Sequence, residues 1–145
     1  MPFWTLIVAA LAFAALAVGA FAIVRGTVAE RIAGAVFISS VPVFLAISRL
    51  PEAWFTLAQL SCDALYAFAF LGLAMWFASR WLGAIMILYA LQFALHATYM
   101  VAGWEPDKLH VLANNLIYIA TMLCLLFGTL GARARQRAAP PAAPA

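Results

Sequence analysis

Residues 55–103 read FTLAQLSCDALYAFAFLGLAMWFASRWLGAIMILYALQFALHATYMVAG, two apolar runs, Phe55–Ser79 and Trp81–Gly103, divided by Arg80. A bilayer core of about 30 Å needs about 20 predominantly apolar residues per helix, so each run is long enough to cross. Asp63 and Arg80 are the only formal charges in the stretch. The composition of the rest agrees. The 145-residue chain is 68% hydrophobic and 9% charged, whereas soluble chains average about half apolar and about a quarter charged. Eight Lys and Arg with five Asp and Glu are too few to coat a soluble globule. A soluble enzyme, a nucleic-acid binder and a disordered tail are excluded for the bulk of the chain.

Working outward, the same length test adds Phe3–Val24, Ile32–Ser48 and Leu109–Leu130. The expected fold is an all-α integral membrane protein, a single five-helix transmembrane bundle over residues 1–131 with spans 3–24, 32–48, 55–79, 81–103 and 109–130. The second span is the shortest and contains Pro42, tolerable in a membrane helix where neighbours satisfy the freed carbonyl. The remainder, 132–145, holds Arg133, Arg135 and Arg137, then Pro140, Pro141 and Pro144. It is expected to be a disordered basic and Pro/Ala-rich cytoplasmic tail.

Charge and tryptophan place the ends. With the C-terminus in the cytoplasm and the N-terminus outside, Arg25, Arg31, Arg80, Arg133, Arg135 and Arg137 fall inside; Arg49 and Lys108 fall outside. That is the asymmetry of the positive-inside rule. Trp4, Trp54 and Trp104 then lie at outer boundaries, and Trp76 and Trp81 flank the inner turn, where indoles prefer to sit. Ala20-Phe21-Ala22 resembles a signal-peptide cleavage site, but no basic segment precedes the apolar run and the run exceeds the usual 7–15 residues; an uncleaved span is expected. The Ala/Arg/Pro-rich tail suggests a bacterial inner-membrane protein. The spread-out basic residues are no nucleic-acid patch.

Small residues recur on the first helix at Ala12, Ala15, Gly19 and Ala22, a spacing that lets helices approach closely, within the chain or against a partner. Polar residues gather instead on the last three spans. Gln59, Asp63 and Tyr66 share a face of the third, Gln92, His96 and Tyr99 a face of the fourth, and Asn114 and Tyr118 a face of the fifth, with Asn115 adjacent. Polar groups in hydrocarbon must find partners, so these faces are expected to meet. Counted from the outer edges, Asp63, His96 and Asn114 lie at roughly 12, 10 and 8 Å by the helical rise of 1.5 Å per residue. Below them the helices are apolar. The pattern implies an outward-facing pocket lined by these nine polar residues and closed beneath.

Asp63 is expected to accept a hydrogen bond from His96, with Asn114 or Asn115 as a further donor. An interfacial Asp63 near its helix N-terminus is the competing reading. Asp63, His96 and His110 include the residue types of a two-histidine, one-carboxylate metal site, yet lack local ligand spacing, so no metal is expected and any cofactor is left unspecified. Cys62 and Cys124 differ in depth by roughly 12 Å, beyond the ~7 Å disulfide limit. No catalytic motif is present. The leading expectation is a non-catalytic accessory subunit with a membrane-protein partner or a second copy of itself in the lipid bilayer. Its pocket would take a lipid, cofactor or partner segment. A proton- or ion-coupled carrier or oligomeric channel is the first alternative. An intramembrane redox or lipid-modifying enzyme is the second.

Overall fold

The computed structural model describes residues 3–138, which form five α-helices: α1 (Phe3–Arg25), α2 (Val28–Ile47), α3 (Glu52–Phe77), α4 (Arg80–Ala102) and α5 (Lys108–Ala138). Each is long and apolar enough to span a membrane. Trp4's side chain and residues 139–145, with Pro140, Pro141 and Pro144, lie outside what is described. The outer surface is apolar, with Phe13, Phe68, Met75 and Trp76 each at least 70% exposed. Exposed greasy surface of this extent marks a membrane or protein contact rather than water, as suits a multi-pass membrane protein.

Two boundaries differ from the sequence expectation. α2 begins at Val28, not Ile32, because Thr27 and Glu30 form a capping box: the Thr27 amide and hydroxyl both donate to the Glu30 carboxylate. That satisfies helix-end groups and carries the helix back over Glu30 and Arg31. α5 does not stop at Leu130. It continues through Arg133, Arg135 and Arg137 to Ala138, so residues 132–138 are helical rather than part of a disordered tail. Alanine, arginine and glutamine are strong helix formers, cations are favoured at a helix C-terminus, and Ala132 is itself packed inside the bundle. Charge ended the apolar run without ending the helix.

The connections at one end are very short. Gly26 and Thr27 join α1 to α2, and Ala78 and Ser79 join α3 to α4. Ala78 takes the left-handed conformation (φ 48°), usually left to glycine at a helix end. Residues 48–51 and 103–107 make the connections at the other end. The helices follow one another around a ring, α1 against α2, α2 against α3, α3 against α4, α4 against α5 and α5 against α1, with α2 also meeting α5.

The small-residue face of α1 is spent inside this ring. Ala15, Gly19 and Ala22 are buried, and a Cβ built on Gly34 of α2 would stand 2.8 Å from the Gly19 carbonyl oxygen. Only two hydrogens allow that approach. Trp81, expected at an interface, packs on Gly128 of α5, where an added Cβ would lie 2.5 Å from the ring; Trp54, Trp76 and Trp104 are exposed. The half of the bundle bearing the short turns is dry, centred on Leu82, Ile85 and Leu125. Thr121 and Thr129 there bond to their own helix backbone at Ile117 and Leu125.

Candidate functional site

A cavity of about 220 Å³ lies in the other half, and all five helices line it. α3 supplies Gln59, Asp63 and Tyr66; α4 supplies Gln92; α5 supplies Asn114, Asn115 and Tyr118. These seven come from the helical spacing of polar residues on three successive spans, which neighbouring helices turn toward one space. The opposite wall is apolar apart from Ser40 and comes from Val8, Leu11 and Ala12 of α1 and from Val41, Val43, Phe44, Leu45 and Ile47 of α2. Val8, Phe44 and Leu45 belong both to this wall and to the exposed apolar surface. The cavity therefore opens sideways between greasy side chains.

Asp63 and His96 are both 5% exposed, and His96 Nδ1 lies 2.6 Å from Asp63 Oδ2. Gln59 Nε2 lies 3.2 Å from His96 Nε2. An amide nitrogen can only donate, so with Gln59 oriented as it is, His96 Nε2 accepts. The ring proton is then on Nδ1 and is donated to the carboxylate. Both ring nitrogens are thereby engaged in hydrogen bonds. His96 stands behind Asp63 and Gln59 rather than on the cavity wall. Neither Asn114 nor Asn115 joins this chain of bonds; the further amide is Gln59, and it bonds His96 rather than Asp63.

Tyr99 is not part of the cavity. Its hydroxyl donates to Asp107 Oδ1 at 2.9 Å, and the same oxygen accepts the His110 amide at 2.8 Å. Asp107 thus caps α5 and anchors Tyr99 at the connection from α4. These bonds hold the Asp107 carboxyl below its ordinary range, the His110 amide contributing most. The His110 ring packs at a tilt between Tyr99 (4.5 Å) and His96 (5.1 Å), so a line of rings joins the buried pair to the surface.

The floor is aromatic. Tyr89 stacks on Tyr66 (5.3 Å) and on Phe70 (5.5 Å), and Tyr118 packs on Phe37 (5.5 Å). Ser39 of α2 meets the Tyr66 hydroxyl at 3.1 Å. Tyr89, three residues before Gln92 on the same stripe of α4, lines the cavity too; Ser40 and Cys62 also line it but were not among the expected nine. Ser39 and Ser40 sit in an apolar run, and no neighbouring polar residue at helical spacing gave their face away.

Among the described residues three buried polar atoms have no hydrogen-bond partner: the Tyr89 hydroxyl, Gln92 Oε1 and Asn114 Oδ1. All three residues line this cavity, and Tyr89 is 3% exposed. Leaving one such atom unpaired costs about 1–3 kcal/mol. Three facing one space have the form of a binding site. Comparison with protein-family models, curated proteins and solved structures gave no match to this chain.

Proposed function

We propose that this chain is a membrane-embedded binding protein, holding the head of an amphipathic small molecule in its polar cavity while the tail stays in the bilayer. The observation that carries this is the convergence of three unpartnered buried polar atoms on one cavity with an apolar side opening. At about 220 Å³ the space is smaller than the roughly 300–1,000 Å³ of pockets that engulf a drug-sized ligand, so a head fits and a whole lipid does not. In this reading the cavity half faces outward, and the arginine-rich half with Arg25, Arg31, Arg80 and Arg133 faces the cytoplasm of a bacterium.

Binding is preferred to transport because the aromatic floor and the dry half beneath it offer a solute no polar route. The accessory-subunit reading is the weaker one, since the small-residue face on which it rested is taken up by α2. The test is Ala12→Trp, which places an indole in the cavity from the α1 side. Protein purified in mild detergent is extracted with organic solvent, and the extract is analysed by mass spectrometry. We expect a small molecule enriched over bulk lipid in the wild type and lost from the folded variant. Identical extracts would refute the reading.

A further inference from the structure

Resting on the binding reading above, we propose that the occupant's head is a hydrogen-bond donor, a hydroxyl or an ammonium on an apolar tail, and not a phosphate. The unpartnered atoms set this polarity. Gln92 Oε1 and Asn114 Oδ1 can only accept, and the Tyr89 hydroxyl can do either. Asp63, on the same wall, adds carboxyl oxygens, one of them bonded to His96. The lining therefore presents oxygen acceptors and one acidic side chain.

Nothing in it offsets an anion. No Lys or Arg lines the cavity; the cations of the chain lie at the helix ends and in the connections, at Arg25, Arg31, Arg49, Arg80, Lys108 and the three arginines of α5's last turns. A phosphate would be buried beside Asp63 without a counter-charge, at a cost of several kcal/mol. A hydroxyl or an ammonium would pair with atoms that are otherwise unsatisfied. Tail and head are then read by different walls: α1 and α2 contact hydrocarbon, and α3 to α5 contact the donor.

The experiment uses the whole chain in nanodiscs, with empty nanodiscs as the partition blank, and four probes sharing one tail length: octane-1,2-diol, octylamine, 1,2-dimethoxyoctane and octyl phosphate. Binding is read by saturation-transfer NMR. The diol or the amine should bind at least tenfold more tightly than the ether or the phosphate. Which of the two is tighter decides between a hydroxyl and an ammonium head. Gln92→Leu and Asn114→Leu should each weaken the better probe about fivefold, the usual net effect of one hydrogen bond. Both side chains are half-buried and each carries an unpartnered carbonyl oxygen, so the variants should fold about as stably as the wild type. Equal binding of all four probes, abolished by Ala12→Trp, would overturn the donor-head inference and leave the binding reading standing. Tightest binding of the phosphate would do the same. Probe binding indifferent to Ala12→Trp would remove both.

Discussion

Replacing His96 by leucine leaves the Asp63 carboxylate in its buried place without the Nδ1–H that stands 2.6 Å away. Asp63 is 5% exposed, so bulk water does not readily replace the lost donor. Breaking a buried pair from one side costs about 3–5 kcal/mol. Access to the cavity argues for the lower end, and we expect a loss of about 3 kcal/mol. Asp63→Leu is milder: His96 keeps its bond from Gln59 and strands only a neutral N–H, at about 1–3 kcal/mol. The Asp63→Leu, His96→Leu double variant buries two apolar side chains and strands neither, so it should lose less than the His96 variant alone. The coupling between the sites should reach at least about 1.5 kcal/mol, against an average of about 0.6 for hydrogen bonds between membrane helices. Stability is followed by circular dichroism as SDS is titrated into mild-detergent micelles. Losses that add to within about 0.5 kcal/mol, as they do for independent sites, would refute the reasoning.

Helix packing gives a paired test. Gly34→Ala pushes a methyl to 2.8 Å from the Gly19 carbonyl oxygen and should cost about 1–3 kcal/mol by overpacking. Gly83→Ala meets nothing within 4 Å and should be neutral or gain up to about 1 kcal/mol; equal effects in the SDS titration would contradict the close α1–α2 approach. Asp107 gives a pH test. Its folded pKa is lowered from an ordinary 3.8, first by the His110 amide and then by the Tyr99 hydroxyl, so its stabilisation is present above that value and lost as pH falls through the folded pKa. The stability difference between wild type and Asp107→Ala should hold from pH 7 to about 5 and shrink below about 4. A constant difference down to pH 3 would rule out the cap as drawn.

Much of the candidate site's lining was legible in the sequence. Gln59, Asp63 and Tyr66, and likewise Asn114 and Tyr118, repeat at three- or four-residue intervals inside apolar runs, and polar side chains in such runs must find each other. What misled was position along an otherwise correct face. Tyr99 follows His96 by three residues, yet it lies so near the end of α4 that Asp107 captures its hydroxyl. The aromatic floor was legible only as separate tyrosines and phenylalanines, since stacking depends on which helices are neighbours.

Hydrophobic run length and the paucity of charge determined, from the sequence by itself, that there are five membrane-length helices and which three of them bear polar faces. Those are local properties, fixed by composition within some twenty consecutive residues. Tertiary structure alone decided that α1 would spend its small residues on Gly34 of α2, and that α1 and α2 would supply a hydrocarbon wall opposite the polar one. It also decided that Tyr89, Gln92 and Asn114 would face a space with nothing to bond. Such outcomes depend on helix rotation and neighbour order, which arise from packing between segments far apart in the chain and leave no periodic trace in any one of them.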